Sequence, residues 1–143
     1  MIRQMIPADL DRICDLETIS FKEAWTRDSF EYELSQNPFS HQIVLEEGGL
    51  ILGYAIFWIM FEQAQLASIA VDPGYRKLGK GWQLLNQAIE TAKAEGCELF
   101  TLEVRVGNAP ARTMYEQRGF TPIHLSKNYY SDGEDALVMG LGI

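Results

Sequence analysis

In the stretch YRKLGKGWQLL, residues 75–85, Arg76, Lys77 and Lys80 put three of the chain's twelve basic residues within five positions, threaded with Gly79 and Gly81. The pattern turns helical immediately afterwards, so this loop opens a helix. The first N–H groups of a helix have no internal partner, and the helix dipole adds partial positive charge there. Glycines at 79 and 81 permit a tight turn and let a ligand come close to bare backbone. Together these features describe an anion site of the kind that holds phosphate. The spacing of Gly74, Gly79 and Gly81 fits neither G-x-x-x-x-G-K-S/T nor G-x-G-x-x-G. Taken alone, the glycines could serve only the turn. No metal or thiol chemistry competes: Cys14 and Cys97 lack metal spacing and form no convincing disulfide framework, and His41 and His124 have no ligand partners. Cys97, after Gly96 and before a strand, reads as a small core residue rather than a nucleophile.

The elements that must position this loop follow from periodicity and punctuation. Ile2 to Met5 reads as a short strand. Pro7 precedes Leu10, Ile13, Leu16 and Ile19 at helical spacing. Thr26 is a plausible N-cap for a second helix that ends near Gln36, before Asn37 and Pro38. His41 to Glu46 reads as a strand, and Gly48-Gly49 turns it into the apolar strand from Leu50 to Phe61. Gln65 to Val71 is another strand, ended by Asp72-Pro73-Gly74. The helix after the loop carries Leu85, Ala88, Ile89 and Ala92 on one face and stops at Gly96. Leu99 to Val106 is a strand. Asn108 can cap the next helix, with Pro110 in its first turn and Gly119 closing it. Strands near Pro122 to Tyr129 and Ala136 to Leu141 finish the chain. This order predicts an α/β fold: one domain over residues 1–143, a central mixed sheet and helices on both faces.

Composition bounds the function. The chain has 143 residues, 47% of them hydrophobic, enough for one sizeable core. Acidic residues arrive early, and no apolar core of a secretory signal follows the start. The twelve-residue run LILGYAIFWIMF is too short for a membrane helix, which needs about 20 residues. The expected setting is reducing and cytoplasmic, without a membrane partner. The formal charge is -8, and it is uneven: residues 1–71 hold 11 acidic and 4 basic residues, residues 72–143 hold 9 and 8. An acidic surface argues against direct binding of nucleic acid. It suits a cationic partner, or serves solubility alone.

Three segments carry a resemblance. IAVDPGYRKLGKGWQLL (69–85) contains Q/R-x-x-G-x-G/A as Arg76, Gly79 and Gly81. LEVRVGNAPARTMYEQRGF (102–120) contains N-x-x-A-x-x-x-Y-x-x-x-G-F. KNYYSDGEDALVM (127–139) follows in order, and FKEAWTRDSF (21–30) adds a fourth, looser match. Together they resemble the GCN5-related N-acetyltransferases (GNAT), and most closely the RimI-like subfamily, which acetylates the N-terminal alanine of a small-subunit ribosomal protein. Two positions depart from the pattern. Ala24 stands where relatives often carry Pro, and Trp82 stands where a smaller or basic residue is usual.

The resemblance implies a mostly antiparallel sheet with a splayed strand pair that holds acetyl-CoA, and no metal. Backbone groups of Ile69, Ala70 and Val71 would hold the pantetheine arm. The amides of Lys77, Leu78, Gly79, Lys80, Gly81 and Trp82 would cradle the pyrophosphate, with Arg76 adding local charge to the cofactor site, and Asn108 would meet the cofactor as well as cap its helix. Glu103 is then the candidate base, directly or through a water, and Tyr115 the candidate acid for the departing thiolate. A backbone amide near Val71 could stabilise the oxyanion. Phe21, Trp25, Tyr129 and Tyr130 would frame the peptide groove. The implied acceptor is a protein with a free N-terminus, a ribosomal protein above all. A free α-amine with a pKa near 8 is about one-tenth neutral at pH 7, whereas a lysine near 10.4 is only about 0.04% neutral, a gap worth roughly 3.4 kcal/mol. N-terminal amines are therefore the easier substrate, and geometry must enforce the choice. The alternatives are an acetyltransferase for lysine side chains or small-molecule amines, and a non-catalytic acyl-CoA-binding module.

Overall fold

The computed structural model describes residues 1–143. Strand β1 (Ile2–Gln4) leads through a 3-10 turn at Pro7–Asp9 into helix α1 (Leu10–Ser20). Helix α2 (Arg27–Ser35) begins at Thr26, whose hydroxyl accepts the Ser29 N–H as an N-cap. Strands β2 (Ser40–Glu47), β3 (Leu50–Met60) and β4 (Gln63–Val71) form an antiparallel meander. Helix α3 (Lys80–Ala94), strand β5 (Leu99–Arg105), helix α4 (Ala109–Arg118) and strands β6 (Thr121–Ser126) and β7 (Ala136–Gly142) complete the chain.

The seven strands make one sheet in the order β1-β2-β3-β4-β5-β7-β6, and only the β4–β5 pair is parallel. Helices cover both faces, as the alternation of β2 requires. Ile43 and Leu45 point to the α3 side with Phe57, Leu85 and Ile89. Val44, between them, points to the α1–α2 side with Tyr54, Leu16 and Phe30. Gly53 is needed where β3 passes β4: a Cβ there would lie 2.8 Å from the Ala70 carbonyl oxygen.

Three expectations shift. Ile19 was expected on the apolar face of α1, but it is 60% exposed. Leu10, Ile13, Leu16 and Glu17 form the buried face instead, and Ile19 falls behind it. The strand expected from Pro122 to Tyr129 stops at Ser126, because the chain turns over with Asn128 at φ 53. Strand β4 starts two residues earlier than expected and carries a bulge: Ile56 pairs with Ser68 but Phe57 pairs with Leu66, which leaves Ala67 as an extra residue. No helix is long and apolar enough to cross a membrane.

Candidate active site

Strands β4 and β5 pair only from Gln63–Gln65 to Leu99–Thr101. Beyond those rungs β4 continues to Val71 and β5 to Arg105 with no pairing between them, while β5 stays paired with β7 along its length. A sheet edge opened in this way exposes backbone N–H and C=O groups to whatever lies between the strands. The parting widens into a cleft of about 1030 Å³. Ile69, Ala70 and Val71 line one side of it, and Glu103, Val104 and Arg105 the other.

The N-terminus of α3 closes one end. Gly79 is its N-cap in the left-handed region at φ 78, and no side chain caps the helix. Helices α2 and α4 differ, being capped by Thr26 and Asn108. The first amides of α3 are thus open to an anion, as a bound pyrophosphate requires. Lys77, also left-handed at φ 66, lines this end together with Gly81 and Trp82. Trp82 is 36% exposed and faces the cleft instead of packing beneath the loop. The other two cations have protein partners. Arg76 donates to the Val71 carbonyl at 3.1 Å and to the Ser20 hydroxyl at 3.1 Å, so it braces the end of β4 against α1. Lys80 Nζ pairs with Glu47 at 2.6 Å. Leu78, expected in the cradle, is 61% exposed and does not line the cleft. Asn108 accepts the Ala111 N–H at 3.3 Å as the N-cap of α4 and also lines the cleft.

Glu103 and Tyr115 meet at this cleft from different elements. The alternation of β5 buries Leu102 and Val104 on the α3 side and turns Glu103 outward to the cleft. Tyr115 comes from α4 and packs against Phe120, with ring centroids 5.9 Å apart. It therefore belongs to the core and to the cleft wall at once. Burial, then the nearby Tyr130, push its pKa above the ordinary tyrosine value, so it holds its proton at neutral pH.

The cleft is also framed by two loops, where the acceptor was expected. Phe21 and Trp25 line it from the α1–α2 loop, and Tyr130 from the β6–β7 connection. Tyr129 is half-exposed and not part of the lining; hydrogen bonding to Glu103, ahead of burial, pushes its pKa up to about 12. The two loops are tied together by side chains that periodicity and motif did not single out. Glu23 accepts the Ser131 N–H at 2.8 Å. Arg105 donates to Asp132 and Glu134, each at 2.9 Å, and its guanidinium lies 3.9 Å from the Tyr130 ring centre. These contacts hold Glu134 and Asp132 below the usual carboxylate range, Glu134 chiefly through Arg105 and Asp132 chiefly through the Glu134 N–H and then Arg105.

A second missed residue, Glu17, lies at the cleft floor and is 1% exposed. One signal was available: it sits four residues after Ile13, on the buried stripe of α1, where an apolar residue is expected. Elsewhere, no group of three or more His, Cys, Asp or Glu side chains is arranged to hold a metal ion. His41 stacks on Phe57 with centroids 5.3 Å apart. Cys97 is a buried core residue whose thiol burial pushes up.

Comparison with known proteins adds four findings. Residues 10–120 match the family model described as "Acetyltransferase (GNAT) family". A Bacillus subtilis (strain 168) protein, provisionally named a ribosomal protein bS18-alanine N-acetyltransferase, is 41% identical over 143 residues, which are 99% of this chain and 95% of that protein. The ribosomal protein bS18-alanine N-acetyltransferase of Escherichia coli (strain K12) is 32% identical over 145 residues, 99% of this chain and 97% of its own. The crystal structure of the Escherichia coli ribosomal-protein-S18-alanine N-acetyltransferase superposes with a TM-score of 0.91, covering 100% of this chain and 93% of that one.

Proposed function

The chain belongs to the acetyltransferase (GNAT) family, and we propose that it transfers the acetyl group of acetyl-CoA to the N-terminal α-amine of a protein, with the N-terminal alanine of ribosomal protein bS18 as the acceptor. The observation that carries this reading is the parted β4–β5 cleft, with an uncapped helix terminus at one end and Glu103 and Tyr115 in its wall. The uncapped amides of α3, with Lys77 beside them, suit a pyrophosphate. The unpaired edge of β4 suits the amide-bearing arm that would run from it. The relatives' names supply the acceptor.

Glu103 takes the proton of the incoming ammonium, directly or through one water, and leaves a neutral amine. The amine nitrogen attacks the thioester carbonyl carbon, and a backbone amide near Val71 steadies the developing oxyanion. The carbon–sulfur bond then breaks. The sulfur departs with the bonding pair and receives the Tyr115 proton, while the nitrogen, cationic after its attack, gives up its surplus proton to water as the amide forms; Glu103 then releases its proton to solvent and Tyr115 regains one, so the products are an acetylated amine and a thiol. No covalent enzyme intermediate is needed.

Mass spectrometry after incubation with acetyl-CoA tests the reading. A peptide with the bS18 N-terminal sequence starting at Ala should gain one acetyl group at its α-amine. The same peptide with a blocked N-terminus and free lysines should gain none. Acetylation of the blocked peptide would make this a lysine acetyltransferase. Binding of acetyl-CoA without product from any amine would make it a binding module.

A further inference from the structure

Glu17 is a carboxylate with almost no contact with solvent, at 1% exposure, yet it forms part of the cleft floor. A buried carboxylate persists only where donors surround it. Here three do. Oε1 accepts from the Tyr54 hydroxyl on β3 and from the Ser68 hydroxyl on β4, the latter at 3.0 Å. Oε2 accepts the Trp25 N–H, in the α1–α2 loop, at 2.9 Å. Burial, then the Glu17 charge, push the Tyr54 phenol far up, so Tyr54 remains a donor.

The positions of these donors matter more than their number. Ser68 follows the bulged Ala67, and the bulge is why both turn toward α1. The next residues, Ile69 to Val71, are the wall expected to carry the acetyl donor. Trp25 lies in the loop expected to frame the amine. One side chain thus joins the donor wall to the acceptor loop. All its contacts are donors pointing in, so its oxygens are taken up with holding and are not presented to substrate.

We propose that Glu17 is a positioning residue: its carboxylate locks the acceptor loop at Trp25 to the bulge of β4 at Ser68, and so fixes the distance between the amine and the thioester. This rests on the reading of the cleft as a two-substrate site. In Glu17→Gln one of the two acceptor oxygens is lost, and so is the charge that strengthens all three bonds.

Amide hydrogen exchange on the full chain, run beside steady-state kinetics, tests it. Glu17→Gln should raise exchange severalfold at residues 21–26 and at residues 66–70 together. It should lower kcat on the order of 10- to 100-fold, as a misplaced reactant does, with the KM for acetyl-CoA within about twofold of wild type. Faster exchange in only one segment, or in both with kcat unchanged, would overturn the proposal. Should Glu17→Gln fail to fold, Ser68→Ala and Tyr54→Phe replace it. Each should loosen residues 21–26, to which neither hydroxyl bonds directly, and a loop left unchanged by both sinks the idea. If the wild type acetylates no amine, the functional reading fails on its own. The exchange arm still decides the tie: joint loosening supports it, and independent behaviour overturns it.

Discussion

At the scale of single residues, the proposed mechanism asks opposite things of two side chains. Glu103 must be free to accept a proton, and the outward turn of β5 leaves it at the cleft. Tyr115 must keep its proton until the thiolate leaves, and burial in the core holds it. Glu103→Gln should lower kcat/KM by about 10²- to 10⁴-fold at pH 7. The loss should shrink as pH rises toward the amine's own pKa near 8, where the amine sheds its proton unaided. A deficit constant from pH 6 to 9, measured with an Ala-first peptide, would remove Glu103 as base. Because the Tyr115 pKa lies above its ordinary value of about 10, the wild-type rate should show no alkaline fall below about pH 9. Both residues were singled out from the resemblance, Tyr115 within N-x-x-A-x-x-x-Y-x-x-x-G-F and Glu103 within Leu102-Glu103-Val104-Arg105, and the fold brings both to the cleft wall. Glu17 was not, since a lone Glu on a helix stripe carries no mark of the hydroxyls that meet it from β3 and β4. Nor was the use made of Arg76, whose guanidinium spends its bonds on the Val71 carbonyl and Ser20 instead of standing free.

At the scale of elements, the loop before α3 works because its backbone bends in a way side chains resist. Gly79 sits at φ 78, and a Cβ there would meet no neighbour, so any penalty on substitution is conformational and not steric. Gly79→Val should therefore cost about 1–2 kcal/mol of stability, read as a lowered midpoint in urea. It should also weaken acetyl-CoA binding by more than tenfold in calorimetry, because the first amides of α3 would turn away. Unchanged binding would relieve α3 of the anion role. Helices and their stops were readable here, since Thr26, Asn108, Gly96 and Gly119 mark them with residues of known conformational preference. The bulge in β4 was hidden because Gln65 to Val71, QLASIAV, is apolar at five of its seven positions and keeps no strict alternation for a bulge to interrupt, and an extra residue shows only against its partner strand. The parting of β4 from β5 was hidden for the same reason: it is a property of two segments some thirty residues apart, and only the resemblance pointed to it.

At the scale of the whole molecule, the net charge is -8, and the proposed acceptor side of the cleft is edged by Glu23, Asp132 and Glu134. A cationic peptide should be drawn to it over distances that salt shortens, with a Debye length of about 10 Å at 0.1 M. Raising ionic strength from about 0.05 to 0.5 M should lower kcat/KM severalfold for an Ala-first peptide rich in arginine and leave a neutral peptide nearly unchanged. Equal responses would reduce the surface charge to a matter of solubility. The bulge at Ala67 carries a different lesson for the molecule. In a strand, facing is a matter of odd and even, and the extra residue switches that parity just before the cleft. Ala70 faces α1, and Ile69 and Val71 face α3, only because one residue was added between the hairpin and the site. Strand β4 therefore tolerates a change of letter far better than a change of length. Removing one residue between Gln63 and Ser68 would exchange the inner and outer faces of everything up to Val71, whereas an insertion at Gly48-Gly49, where the chain turns in open solvent, leaves every parity in the sheet as it was.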